Sequence, residues 1–391
     1  MTFELSQDTE NLRRVLAQLE DYIWRERFQG YDPYDLLKSP AFSWPVLRDN
    51  KTLRFYSQQV FRRIPFNLRP LLRIPKGYNP VTLGLAQHAY LYLMDLFPEK
   101  KQMFRERSDF CLDELNRLKS SGYAGVCWGY DFDWSGRYAT IPAFTPTVVA
   151  TGFVTNGLFE RYQRLQDQAA LSLLTNSVEF VMKNLQRSYR GTTLCFSYSP
   201  VDHQQVLNAS MKAVRLLAQV YSITQDARHL DVAKSAVQFA VQCQRNDGSW
   251  PYSRGDARTW SDNYHTAYVL DCLKVYCELT NDHAYDDQLR RGFKYYRENF
   301  ITRDFVPRYY NNKLYPIDIT CAAQSILTLS NFGDVSAAWN VARWTVRHMY
   351  DQRGFFYYQT LRFVTDKTSY MRWSNAWMLL ALAFLLHKGN E

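Results

Sequence analysis

The hydrophobic positions of this chain fall into two kinds of helical stretch that take turns along its length. One kind is apolar on every side, as in Thr266-Ala267-Tyr268-Val269-Leu270 and Ala376-Trp377-Met378-Leu379-Leu380, and a helix without a polar face is expected inside a core. Six such helices are predicted to begin near Pro80, Pro146, Val206, Asn263, Asp318 and Ser374. The other kind carries one charged face, near residues 98–120, 166–187, 226–245, 283–300 and 334–352, with residues 8–28 as a sixth. These are expected to be half exposed, and strand-like alternation is nearly absent outside a few aromatic pieces.

A local pattern links the two kinds: a turn, a short aromatic extended piece, a polar loop, then an apolar helix. Its copies are Cys127-Trp128-Gly129-Tyr130, Cys195-Phe196-Ser197-Tyr198, Ser249-Trp250-Pro251-Tyr252, Pro307-Arg308-Tyr309-Tyr310 and Phe355-Phe356-Tyr357-Tyr358. The unit is roughly fifty to seventy residues long, which suits a helical hairpin with one long loop. Six buried and six amphipathic helices in alternation predict an all-α fold, an (α/α)6 toroid with its aromatic loops gathered at one end. An open superhelix of hairpins would need the same helices but more uniform repeats. Residues 1–74 read as an N-terminal helix and a Pro-rich basic segment packed on a toroid of residues 75–391, the whole making one structural domain.

Gln242-Cys243-Gln244-Arg245-Asn246-Asp247-Gly248-Ser249-Trp250 resembles the Q-x-x-D-G-S-W element of α/α-toroid proteins, which include terpenoid cyclases and six-hairpin carbohydrate enzymes. Trp128-Gly129-Tyr130-Asp131-Phe132-Asp133-Trp134, Phe196-Ser197-Tyr198-Ser199-Pro200, Trp260-Ser261-Asp262-Asn263-Tyr264-His265-Thr266, Tyr315-Pro316-Ile317-Asp318 and Tyr370-Met371-Arg372-Trp373 together resemble toroid proteins associated with bacterial and archaeal polysaccharide biosynthesis. Heparinase-type lyases and uronyl C5-epimerases are more distant in architecture. The resemblance implies a toroid, a glycan substrate and association with polysaccharide assembly proteins; it transfers no catalytic residue.

Composition sharpens the ligand. The 391 residues include 28 Tyr, 24 Phe and 10 Trp, an aromatic share of 16%, above the needs of a core. A Tyr ring can stack on a sugar and hydrogen-bond it at once. The formal charge of +9 favours an anionic partner, so a uronate-containing polysaccharide or oligosaccharide is expected. No nucleic-acid motif accompanies the basic cluster Arg62, Arg63, Arg69, Arg73 and Lys76, which its prolines make either a cover for a cleft or a solvated loop. The first twenty residues lack a signal-peptide pattern and the longest apolar run, Ala376 to Leu386, is too short for a transmembrane segment, so a cytoplasmic location is expected. Seven scattered cysteines read as reduced thiols in helix interiors, and nothing calls for a metal or a cofactor.

A toroid would bring the loop residues Asp131, Asp133, Asp202, His203, Asp262, Tyr264 and His265 to one mouth as catalytic candidates. Tyr130, Trp134, Tyr198, Tyr252, Trp260, Arg254, Arg308, Tyr309, Asp318 and Arg372 are the substrate-binding candidates. Asp262 with Asp131 or Asp133 would make the carboxyl pair of a glycoside hydrolase. His265 and Tyr264 would instead move protons in a lyase or C5-epimerase, with Arg254, Arg258 or Arg308 on the uronate. Helix N-capping accounts equally well for Asp262 and Asp318, and a core role for His265. Asp133 and Asp202 have no evident capping duty. The alternatives to an acid/base enzyme are a non-catalytic glycan-binding scaffold and, further off, a terpenoid-cyclase-like enzyme, which would need a sealed apolar cavity.

Overall fold

The computed structural model describes residues 2–389, with side chains from residue 7. Among the described residues fourteen α-helices run in order: α1 Thr2–Arg25, α2 Pro45–Arg48, α3 Lys51–Phe61, α4 Pro80–Leu96, α5 Lys101–Arg117, α6 Val148–Leu165, α7 Gln168–Lys183, α8 Leu207–Thr224, α9 Ala227–Gln242, α10 Asn263–Thr280, α11 Asp286–Phe300, α12 Ile319–Asn331, α13 Val335–Met349 and α14 Trp377–Lys388. The even-numbered helices from α4 to α14 are the apolar ones, buried along nearly their whole length. Each packs on the next, and α14 returns to α4, closing an inner ring. Helices α5, α7, α9, α11 and α13 each lie outside the inner helix they follow, while α1 packs on α14 and supplies the sixth outer position. The fold is an all-α, six-hairpin α/α toroid.

Local chemistry sets the joints. After α6, α8 and α10 the chain takes a left-handed residue, Gln166, Gln225 or Asn281, with φ of 52°, 56° and 54°. An Asp follows each time. Asp167 and Asp226 then cap α7 and α9, and Asp282 caps the short helical turn before α11, each accepting hydrogen bonds from free backbone N–H groups. These tight inner-to-outer turns sit at one end, so the longer outer-to-inner loops collect at the other. Those loops carry the few strands, short pairs such as Arg187–Arg190 with Thr193–Phe196 and one three-stranded sheet of Ile317–Asp318, Gln359–Thr360 and Thr365–Asp366.

Several expectations need correcting. The second inner helix starts at Val148, and the last is preceded by a π-helical turn, Met371–Ala376, that begins before Ser374. Cys127, Cys195 and Cys243 lie outside helices, unlike the other four free thiols. The Pro-rich segment folds rather than trailing as a solvated loop: Leu36, Phe61 and Ile74 form a small core of their own, and Arg69 is buried against Asp35 at 2.8 Å. No helix among the described residues is long and apolar enough to cross a membrane.

Candidate active site

All six inner helices start at the same end, so their first turns and the loops before them surround one axial depression. Its inner part is a cavity of about 130 Å³ walled by Tyr34, Tyr130, Trp134, Tyr198, Tyr252 and Tyr264 and floored by Phe153, Tyr268 and Trp377. It widens into an outer space of about 270 Å³ beneath α3, bordered by Arg62, Tyr138, Arg258 and Trp260. The rings brace one another: Tyr130 stacks on Phe132 at 5.4 Å, Tyr252 on Trp260 at 5.5 Å, and Trp134 leans on Tyr198 at 5.4 Å. Trp128 and Trp250, by contrast, are buried and seal the barrel, their indole N–H groups donating to the Leu115 and Ala240 carbonyls.

The chemistry centres on the start of α10. Asp262 is its N-cap and is 2% exposed; one carboxylate oxygen accepts the His265 backbone N–H at 3.1 Å. The N-cap and the residue three further on face each other, so the same carboxylate also receives His265 Nδ1, at 2.8 Å to Oδ2. Trp260 Nε1 adds a third bond at 3.3 Å. With Nδ1 carrying the proton, Nε2 is left with a lone pair and no hydrogen-bond partner among the described residues, and the imidazole lines the cavity. Capping and orientation of the histidine are therefore joint duties of one side chain. Around it Tyr252 and Tyr264 hold their rings at 4.6 and 4.3 Å from the imidazole, and burial keeps both phenols protonated well past their ordinary range. Tyr264 also shares a 2.7 Å hydroxyl contact with Tyr309, which stands behind the wall.

The remaining acidic candidates are not delivered to the cavity. Asp131 is paired with Lys38 at 2.6 Å beneath Gly77, where an added Cβ would lie 2.0 Å from its carboxylate; burial raises its pKa although Lys38 opposes. Asp133 pairs with Arg54 of α3 and accepts the Ala143 N–H at 2.7 Å. Asp202 braces its own turn, accepting the backbone N–H groups of Tyr198 and Gln204, and His203 next to it is exposed. Both Asp133 and Asp202 thus have local structural partners that the sequence did not reveal. Asp318 caps α12 and accepts Gln359 Nε2 and Trp373 Nε1, so it holds the back of Trp373. Among the described residues lining the inner cavity there is no carboxylate, and a hydrolase pair of Asp262 with Asp131 or Asp133 is not assembled.

Of the cations, Arg372 reaches the cavity wall but is held by Asp32 in a two-pronged ion pair, 2.6 and 2.9 Å, between the Tyr130 and Trp373 rings. Arg254 lies over Phe239, and Arg308 bonds through its backbone, its carbonyl accepting from Asn263 and its N–H donating to Phe300; neither lines the cavity. Arg62 and Arg258 do face the outer space, Arg62 with its guanidinium on the Tyr34 hydroxyl at 2.5 Å. Tyr34, Asp32, Tyr268 and Trp377 were not singled out from sequence. For Tyr268 and Trp377 a signal existed, an aromatic near the start of an otherwise aliphatic, fully apolar stretch; for Tyr34 and Asp32 none did, because their segment lacks periodicity.

No family model matches the chain, and no curated protein matches it. Solved structures do, in fold. Cellobiose 2-epimerase from Bacillus thermoamylovorans superposes over 80% of this chain and 90% of its own, at 12% identity and a TM-score of 0.60. A sugar epimerase from a ruminal bacterium gives 80% and 90%, 11% identity and 0.62. The family 76 α-mannanase from Bacteroides thetaiotaomicron gives 81% and 88%, 14% identity and 0.58. In architecture this chain is thus an α/α toroid like those of the two epimerases and the mannanase.

Proposed function

We propose that this chain is a carbohydrate-active enzyme that moves a proton at a sugar carbon, an epimerase or lyase in type, acting on a glycan that bears a uronate. The observation that carries the reading is the buried carboxylate–imidazole couple, Asp262 with His265, opening onto an aromatic cavity without a carboxylate of its own. His265 Nε2 removes the proton from the carbon next to the carbonyl or carboxyl group. The electron pair moves into that group's oxygen, where a protonated phenol, Tyr252 or Tyr264, donates a hydrogen bond to the enolate. Delivery of the phenol proton of Tyr252 or Tyr264 to the opposite face gives the epimer, the phenolate then recovering a proton from the imidazolium; departure of the β-oxygen as an alcohol, taking the imidazolium proton, gives the unsaturated sugar. Asp262 is a positioning residue that stabilises the imidazolium. Trp134 and Trp260 offer faces for stacking, and Arg62 and Arg258 sit where an acidic substituent leaves the inner cavity. The lack of a carboxylate pair in the inner cavity favours this reading over hydrolysis, and the resemblance to biosynthetic proteins favours glycan assembly as its setting.

The test is proton exchange in heavy water. Wild-type protein is incubated with a panel of neutral disaccharides and uronate oligosaccharides, and deuterium entering a ring carbon is followed by NMR alongside absorbance of unsaturated products. Exchange that His265→Ala abolishes is expected. Full exchange in His265→Ala would remove the assignment of the base. Saturable glycan binding without exchange, elimination or new reducing ends would establish the second reading, a binding scaffold, which the ring-lined cleft also favours.

A further inference from the structure

The toroid has a second chamber, at the end opposite the aromatic cleft. It measures about 650 Å³ and is walled by the second halves of the inner helices. The Phe153, Tyr268 and Trp377 rings that floor the aromatic cavity are also its floor, so one aromatic layer separates the two spaces. Two cations from one face of α8 line it. Lys212 is 1% exposed, its ammonium lying 3.9 Å from the Phe153 ring centroid and 4.4 Å from that of Tyr268. Arg215, one turn on, is 9% exposed. Neither makes a hydrogen bond or an ion pair with any described residue, and Arg215 Nε is buried without a partner. Buried cations are ordinarily paired.

The carboxylates in the chamber do not meet that need. Asp271 is occupied by Gln324 at 2.6 Å and by Thr328, and Glu278 near the rim by Lys274. Glu160 stands beyond ion-pair distance, and burial pushes both it and Asp271 toward their neutral forms. Burial likewise brings Lys212 down to about 8, with Arg215 adding to the fall. His88 is held neutral by burial, its pKa near 3, and Lys388 completes the charged groups of the lining. A polar ladder crosses the other wall: Gln219 donates to Asn156 at 3.0 Å, Asn156 meets His88 at 3.4 Å, and Gln219 Oε1 is left without a donor.

From this arrangement we infer a second ligand site, in which Lys212 and Arg215 bind the phosphate of a small polyhydroxylated phosphomonoester, a sugar phosphate. Two fixed positive charges match a dianion, with the Arg fork and the Lys point charge on different oxygens. Gln219 Oε1 and the Asn156–His88 ladder face hydroxyl groups, and the aromatic floor takes the apolar face of the ring. The site is independent of the reaction proposed for the aromatic cleft and stands if that reading fails.

The experiment is calorimetric titration of the full chain with inorganic phosphate and with glucose 6-phosphate at constant ionic strength. Saturable binding of one equivalent is expected, tighter for the hexose phosphate. Lys212→Met, which keeps the aliphatic packing, and Arg215→Gln, nearer the opening, should each weaken it by about tenfold or more. His265→Ala should leave it unchanged, which separates this chamber from the aromatic cleft. Absence of saturable binding by either probe, or equal binding by folded Arg215→Gln, would overturn the site. Affinity for glucose 6-phosphate no greater than for phosphate would overturn the sugar assignment.

Discussion

Replacing Asp262 by Asn tests the couple at its most sensitive point. The amide keeps one oxygen, so the cap bond to the His265 backbone N–H survives, and Asn caps helices about as well as Asp. What disappears is the negative charge 2.8 Å from Nδ1. A hydrogen bond to a charged group contributes about 1.5–3 kcal/mol, and each 1.36 kcal/mol is tenfold in rate, so kcat should fall by about ten- to 150-fold. KM should change little, because the carboxylate does not line the inner cavity. Thermal unfolding should be close to wild type, whereas Asp262→Ala, which also loses the cap, should cost about 1 kcal/mol of stability. The assay is initial-rate deuterium exchange on whichever glycan the wild type accepts, paired with a melting curve. A kcat within about twofold of wild type, or a loss carried wholly by KM, would refute the reasoning, since the magnitude rests on the charge alone.

Two further outcomes concern stability. Arg372→Met leaves Asp32 buried without its cation and should destabilise the chain by about 3–5 kcal/mol in chemical denaturation; Asp32→Asn combined with it should recover part of that loss. Asp318 has its pKa raised by burial from 3.8 to about 6, so the fold prefers its protonated form. Its contribution is full below about pH 4 and is lost as pH rises through 6, by at most about 3 kcal/mol. Wild type should therefore lose stability relative to Asp318→Asn between pH 4 and pH 7; a difference that stays flat would count against a raised Asp318.

How much of this was legible depended on distance along the chain. The inner helices announce themselves because a segment such as Leu379 to Leu386 has no polar face to offer water. The Asp262–His265 couple is also local, a cap residue and its third successor on one turn, yet the pattern of the loops pointed instead to Asp262 pairing with Asp131 or Asp133. Helix α3 stayed hidden because Pro40, Pro45, Pro65 and Pro70 interrupt any period around it. Asp32 with Arg372 is 340 residues apart in sequence, and only ring closure makes them neighbours. Asp133 looked free of structural work because its partners, Arg54 and the Ala143 N–H, come from a helix and a turn that no local pattern predicts.

The sixth hairpin is built from helices far apart along the chain, α1 against α14. α1 therefore cannot complete its hairpin until α14 is in place, although its Glu20 also meets Tyr90 of α4 and Arg107 of α5. Tyr22 bonds Ser369 across 347 residues, and closing so long a loop costs only about 3 kcal/mol more entropy than closing one of about ten residues. The seam is thermodynamically cheap, and the aromatic mouth, whose wall includes both Tyr34 and Trp373, is complete only once that seam has closed.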